Sequence, residues 1–514
     1  MKNTHSVLAI DIGTSSVRAV LFDTQGHPVP GAEARSTYQV HYTSDGGCEI
    51  PADELFSWVL QTISSCQAQV AAADVIGVGI SCFWHSLVGI TPDTCAPATP
   101  VYLWADTRSR GVLDEIKELE AEAELFARTG CRVHTTYWPA KIRWIKASQP
   151  SLHFSALWWM SFAEYLGLRL FGERVVSVSM ASGTGVFHQE LGHWDPPTLD
   201  LCGLTQSQLS TIAPDTLCFS GERLRALYKE QLGRLTSAQW FLSLGDGACS
   251  NLGSGPPCQT AAVLNLGTSA ALRLSIPETF QKLKTPALAR QLFTGGLWQY
   301  RIDQQWHLVG GALSNAGNLL GWLREVLNLP STAEINQFLS DSIPDSHGLS
   351  CLPFLAGERS PGWSADTFGL VAGLHFQTTP LQLVQATIET IALRLAWILE
   401  NLHLAGFPID HIIASGGALT AFPAWAQIIC DALNRPVLRL ENAEVSARGA
   451  ALWVFHQLGL QDLAQSQIPA STLFTPDPAR HHIYRQALAH HQQFYHTFRH
   501  QPVRPARPNR LPSS

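Results

Sequence analysis

Near the start of the chain two short apolar runs flank a polar turn. Val7-Leu8-Ala9-Ile10 is a short apolar run that ends at Asp11, and Gly13-Thr14-Ser15-Ser16 follows it. Positions 17–22 form a second β-rich run with Arg18 inside it, closed by the turn residues Asp23-Thr24-Gln25-Gly26. This spacing predicts a β-hairpin whose turn carries small and hydroxyl residues. The rhythm then becomes helical over 55–72, and 75–80 and 87–90 read as buried strands. The apolar stretch 157–171 carries Glu164 and Arg169 and is too short to span a bilayer, so it reads as a buried helix. Strands and helices mix up to about Trp240, an α/β pattern.

A second cycle begins near Gly245. Positions 261–266 are an apolar strand, Gly267-Thr268-Ser269 follows, and 270–276 is another strand. The order of strand, Gly-Thr-Ser and strand thus occurs twice, about half a chain apart. Further on, 381–404 is a long helical pattern. The strand 411–414 is broken by Ser415-Gly416-Gly417 before a helix over 422–433. With 514 residues, two large domains are expected, divided near 240–260.

Composition narrows the functional classes. The net charge of -7 offers no basic surface for a polyanion, so a nucleic-acid partner is disfavoured; the Arg/Pro-rich positions 504–510 read as a solvated tail. No signal-peptide or membrane-spanning pattern is present. The eleven cysteines are scattered without a Cys-x-x-Cys pair, which fits reduced thiols in a cytoplasm better than a zinc or disulfide framework. P-loop chemistry is excluded because no Gly-x-x-x-x-Gly-Lys-Ser/Thr string occurs.

The duplicated turn carries the candidate chemistry. Gly-Thr-Ser after a strand exposes backbone N–H groups and hydroxyls in a concavity that suits phosphate oxygens. One such turn is ordinary; two matched turns point to a nucleotide gripped between two domains. Asp11 offers a hard oxygen for Mg²⁺ beside those phosphates. Gly245-Asp246-Gly247 places a carboxylate between glycines, and Trp84-His85 ends a strand in an aromatic and polar patch.

The string from Leu8 through Asp11, Gly13-Thr14-Ser15 and Arg18 resembles the first phosphate motif of the FGGY carbohydrate kinase family. Leu264-Asn265-Leu266-Gly267-Thr268-Ser269 resembles the second, and Ile413-Ala414-Ser415-Gly416-Gly417-Ala418 the adenosine motif. The resemblance runs from about residue 6 to about 498. It implies two actin/hexokinase-like (ribonuclease H-like) α/β domains with an inter-domain cleft, an ATP and Mg²⁺ requirement, and a small sugar or sugar-acid substrate. It assigns 1–245 to the sugar-binding side, 246–465 to the nucleotide side, and 466–514 to a C-terminal helix and tail.

Residue by residue, the resemblance makes Asp246 the general base and Asp11 the metal ligand. Thr14, Ser15, Arg18, Gly267, Thr268, Gly311, Asn315, Gly416, Gly417 and Ala418 become nucleotide contacts. Trp84, His85, Trp104, Asp106, Arg108 and Tyr137 become substrate contacts, alongside Asp246. Gly357-Glu358-Arg359-Ser360-Pro361 reads as a structural loop at the cleft. This string and Tyr137-Trp138-Pro139-Ala140-Lys141-Ile142-Arg143-Trp144 are most similar to gluconate kinases. Lys141 and Arg143 read as a solvated helix face, with attraction of a substrate carboxylate as the other reading. Pentulose kinases of the same family remain an alternative, as does an ATP-binding switch protein without catalysis. Homodimers are common in the family.

Overall fold

The computed structural model describes residues 5–69, 75–441 and 444–499. The predicted tail at 504–510 lies outside them, as do the last positions of the 55–72 helix. Two mixed sheets organise the chain. The first contains β1 (Ser6–Ile12), β2 (Ser16–Asp23), β3 (Pro28–Thr37), β4 (Val75–Cys82), β5 (Cys218–Ser220) and β6 (Gln239–Phe241) in the order β5-β6-β4-β1-β2-β3. A short β7 (Leu244–Gly245) also pairs with β4. The second sheet contains β8 (Ala261–Leu266), β9 (Ala270–Pro277), β10 (Trp298–Arg301), β11 (Trp306–Leu313), β12 (His411–Ser415), β13 (Val437–Leu440) and β14 (Ser471–Phe474). Its order is β10-β11-β9-β8-β12-β13-β14. Both expected hairpins are present, with β1 antiparallel to β2 and β8 antiparallel to β9.

The helices that matter for the site are α1 (Trp138–Ser148), α2 (Asp246–Ser254), α3 (Gly317–Val326), α4 (Pro380–Leu404), α5 (Gly417–Ala421) and α6 (Val445–Gln457). The longest, α4, starts with Pro380 at its first turn and a reciprocal cap between Thr379 and Gln382. It buries Val384, Ile388, Ile391, Leu395, Ile398 and Leu402 in the core of the second sheet. At about 1.5–3 kcal/mol per buried aliphatic side chain, this face anchors that half.

Two expectations change in the fold. The stretch 157–171 divides into a strand, Trp158–Met160, and a helix, Phe162–Phe171. Ser161 separates them by accepting from the Glu164 N–H while Glu164 answers the Ser161 N–H, a capping box that starts the helix later than periodicity alone indicates. The second change concerns 246–465 as one C-terminal unit. Helices α2 and α6 lie against the first sheet: Ala447, Ala450, Leu452 and Val454 share a core with Val7, Ala9 and Val78. Val445, at the other end of α6, packs with Ala261, Val263 and Ile413 of the second sheet. Glycines permit this crossing, because a Cβ on Gly253 would collide with the Val445 carbonyl and one on Gly449 with that of Cys249. The chain therefore crosses three times between the sheets, from α2 to β8, from β13 to α6, and from α6 back to β14.

Candidate active site

Strand pairing at the C-terminal ends of the first sheet sets the central geometry. Asp11 sits one residue from the end of β1, opposite Ser81 of β4, whose hydroxyl donates to Asp11 Oδ1 at 2.7 Å. Beside them, β7 pairs Gly245 with Cys82 and delivers Asp246 as the first residue of α2. Two carboxylates thus converge where parallel strands end, the usual ligand side of such sheets. Burial pushes the Asp11 carboxyl up to about 6, against the Ser81 hydrogen bond and the charge of Arg18. Burial also raises Asp246, opposed first by Arg273.

Trp84 explains why Asp246 stands between glycines. Its indole N–H donates to the Ser179 carbonyl at 3.0 Å. The ring then lies against the Asp246 backbone: a Cβ on Gly245 would collide with it, and one on Gly247 would lie 2.6 Å from Cζ3. The Gly-Asp-Gly string, which reads locally as a turn, is therefore a packing requirement of an indole far upstream, at position 84.

Trp84, His85, Trp104, Tyr137 and Asp246 line one cavity, together with Thr136, Ser269, Ala271, Arg273, Trp298, Tyr300, Ala312, Arg359 and Trp363. His85 holds a left-handed conformation at φ 68° and shares Nδ1 with the Gly183 carbonyl. Burial pushes its ring down to about 3, so the imidazole is neutral; with Nδ1 donating, Nε2 is an acceptor. The Tyr137 and Tyr300 hydroxyls hydrogen-bond to each other across the two halves. Trp363 stacks on Tyr137 with ring centroids 6.0 Å apart. Arg359 lies 4.6 Å over the Trp104 ring and donates Nη2 to the Leu313 carbonyl at 2.9 Å. Arg273, Tyr300, Trp298 and Trp363 were not among the expected contacts. Arg273 does carry a local signal: a charge inside the apolar strand β9, in step with Ala271 on the cavity side.

Asp106 and Arg108 do not line this cavity. The Asp106 carboxylate accepts from the Cys48 N–H and from the backbone and guanidinium of Arg108, which also pairs with Glu49. The ion pair between Asp106 and Arg108 is thus present, extended to Glu49 in a partly buried network. Lys141 is not on a solvated face: it is 1% exposed. Its ammonium donates to the His85 carbonyl at 3.3 Å and to that of Thr136, tying together two cavity loops. Burial pushes Lys141 down to about 7. Arg143 pairs outward with Glu115 and the Leu201 carbonyl.

The expected nucleotide residues divide similarly. The Gly267–Ser269 turn docks on the start of α3, with Gly317 N–H donating to the Gly267 carbonyl at 2.9 Å and Ala316 N–H to that of Thr268 at 3.1 Å. A Cβ on Gly317 would lie 3.2 Å from Ala418 Cβ. Gly416, at φ 121°, presses against the Leu266 carbonyl. Gly267, Thr268, Gly416, Gly417 and Ala418 are therefore neighbours. Cβ atoms built on Gly267 and Gly417 meet nothing within 4 Å, so these two present bare backbone to open space, as a nucleotide cradle requires. Thr14 and Ser15 form the opposite turn, closed by the Gly13 N–H to Ser16 carbonyl bond at 3.0 Å. Arg18 forms an ion pair with Glu444 at 2.8 Å. Gly311 faces away from this space, packed against Ile398 of α4. Asn315 is buried and accepts from the Ala356 N–H at 2.9 Å, so it braces a loop.

Comparison with known proteins gives a consistent match. Residues 6–235 match the N-terminal domain of the FGGY family of carbohydrate kinases, and residues 262–458 match its C-terminal domain. A gluconokinase of Bacillus subtilis (strain 168) is 28% identical over 474 residues, covering 89% of each chain. The crystal structure of a gluconate kinase from Lactobacillus acidophilus matches with a TM-score of 0.84 at 24% identity, over 97% of this chain and 99% of that one. A ligand-bound xylulose kinase from Lactobacillus acidophilus matches with a TM-score of 0.85 at 24% identity, over 96% and 98%. At this identity the two structures establish the fold. Among the described residues no helix is long and apolar enough to cross a membrane.

Proposed function

Because the chain belongs to the FGGY family of carbohydrate kinases and is a sugar kinase, we propose that it transfers the γ-phosphoryl group of ATP to a hydroxyl of gluconate, giving 6-phosphogluconate. The observation that carries this reading is the place of Asp246. It lines the same aromatic cavity as Ser269 of the second Gly-Thr-Ser turn, so a polyol in the cavity and a phosphate on the turn meet at its carboxylate. The choice of gluconate follows the curated gluconokinase relatives, which span nearly the whole chain.

In this reading Asp246 accepts the proton of the attacking hydroxyl, and its raised affinity for protons suits a base working near neutrality. The neutral His85 accepts from one substrate hydroxyl and the Tyr137–Tyr300 pair offers further partners. Trp84, Trp298 and Trp363 exclude water that would otherwise take the phosphoryl group. Asp11, with Ser81 orienting it, is the residue that would hold Mg²⁺. That ion would neutralise charge on the phosphate oxygens during transfer. The bare backbone at Gly267 and Gly417 takes the nucleotide. All eleven cysteines are unpaired, in keeping with a cytoplasmic setting.

A coupled ADP-release assay with ATP and Mg²⁺ tests the reading against gluconate, xylulose, ribulose, glycerol and a blank. Gluconate is expected to give by far the fastest release. Release with a ketopentose in its place would keep the chemistry and reject the acid substrate. Silence across the panel with ATP still bound would favour a non-catalytic nucleotide switch.

A further inference from the structure

The cavity has an electrostatic imbalance that base chemistry does not use. Among the residues lining it, Asp246 is the one carboxylate, whereas Arg273 and Arg359 are both cationic. His85 is neutral, and burial holds the Tyr137 and Tyr300 hydroxyls in the protonated form. The layer beneath offers no compensation, because Lys141 and Arg108 are matched there by Asp106 and Glu49. The donors are unspent as well: Nε and Nη1 of Arg273 and Nε of Arg359 are buried without a hydrogen-bond acceptor. A guanidinium in a water-poor cavity with idle donors is costly unless an anion meets it.

We propose that Arg273 and Arg359 form the carboxylate-recognition site of this kinase and make its cavity select a sugar acid over a neutral polyol of the same shape. This rests on the gluconate reading above and names the side chains that enforce it. Arg273 lines the cavity from β9, beside the start of α2, where a Cβ on Gly247 would lie 2.9 Å from its Nε. Arg359 enters from the Gly-Glu-Arg loop over Trp104, and its charge opposes the raised Asp246 carboxyl less than that of Arg273 does. Planar forks are suited to a carboxylate, which they hold through paired N–H···O bonds. Asp246 and the two guanidiniums line one cavity, so a sugar acid bound with its hydroxyl at Asp246 has both forks within the same space. A neutral chain would leave those donors unmet, and a site built for a polar group rejects an analogue lacking it.

Gluconamide separates the possibilities, since it keeps every hydroxyl of gluconate and removes the charge. Wild-type enzyme is expected to favour gluconate over gluconamide at least ~30-fold in kcat/KM. Arg273→Gln should bring that ratio to within ~3-fold, mainly through a higher KM for gluconate. Arg359→Gln should move it in the same direction. Arg273→Lys, which keeps the charge and loses the fork, should fall between and serves if the glutamine variant does not fold. The proposal is overturned if wild-type enzyme uses both compounds equally, or if Arg273→Gln and Arg273→Lys leave the ratio unchanged. It is also overturned if Arg273→Gln lowers kcat equally for both, which would assign Arg273 to the transferring phosphoryl group. A wild-type enzyme active on a ketopentose and inactive on gluconate would reject the gluconate reading itself, a separate outcome visible before any variant is made.

Discussion

The two halves of the molecule are built on one plan and charged differently. In the first sheet the order β5-β6-β4-β1-β2-β3 joins an antiparallel hairpin to two parallel neighbours and an antiparallel edge. In the second, β14-β13-β12-β8-β9-β11 repeats each relation. Asp11-Ile12-Gly13-Thr14-Ser15 answers to Asn265-Leu266-Gly267-Thr268-Ser269. Even the partner serine recurs: Ser81 lies opposite Asp11 and Ser415 opposite Asn265. The hydrogen bond is reversed between them, since Ser81 donates to Asp11 whereas Asn265 Nδ2 donates to Ser415 Oγ at 3.3 Å. An acidic residue stands at the start of the helix after the last parallel strand in each half, Asp246 as the first residue of α2 and Glu444 just before α6. Glu444 is paired with Arg18; Asp246 has no ion-pair partner within 4.0 Å among the described residues. The frame repeats one turn, and a few side-chain atoms set the two copies apart; on the proposed reading both would hold the nucleotide and the first would also hold the cation.

Removing the unpaired acid should have the largest effect. Asp246→Asn is expected to lower kcat about 10³-fold while leaving ATP affinity within a few-fold, checked by steady-state kinetics and nucleotide titration. The pH profile adds a second readout. A raised carboxyl must lose its proton to act as base, so kcat/KM should fall as pH falls through an acidic limb above the usual aspartate range. That limb should vanish from the residual rate of the variant. Near-normal turnover would transfer the base role elsewhere.

Turning the first hairpin into a copy of the second is the next test. Asp11→Asn reproduces the Asn265 arrangement with little change in volume. It is expected to cost about 10²-fold in kcat and to raise the Mg²⁺ concentration needed for half-maximal rate about tenfold. An unaltered Mg²⁺ titration would mean that the carboxylate-for-carboxamide difference does not divide the labour of the two turns.

The hairpins were legible because their signals are local: an apolar run, a small-residue turn and a second apolar run, repeated. Asp11 stood out as a carboxylate closing the first apolar run, whereas Asp246 between glycines reads locally as a turn and took its role from the family resemblance. The rest depended on partners far apart in the chain. The spacing of Asp106 and Arg108 allows an ion pair between them, but Glu49 and the Cys48 N–H, which complete the network, lie more than fifty positions upstream. Lys141 lies on a helix whose amphipathic pattern gives no sign of the His85 and Thr136 carbonyls that receive its ammonium in the interior. The crossing of α6 to the first sheet is equally silent, since small residues announce close packing and leave the partner unnamed. Arg273 was the detectable omission, because a charge at an inward position of an apolar strand needs a reason.

The smallest effect is expected at the second helix-starting acid. Glu444 and Arg18 keep side-chain exposures of 37% and 27%, so water and salt screen their attraction. A pair of this kind contributes about 0–1 kcal/mol. Glu444→Gln should therefore shift the thermal midpoint by no more than a few degrees and leave kcat within about threefold, measured by calorimetry and the same coupled assay. It stands within one position of the place Asp246 holds at its own helix, so the contrast between the two variants weighs environment against topology. If Glu444→Gln slowed turnover as much as Asp246→Asn, the charge of the second half would be part of the chemistry and the asymmetry between the turns would lose its meaning. If it did not, two acids at equivalent helix starts would differ by orders of magnitude because one has a guanidinium of its own and the other faces a substrate.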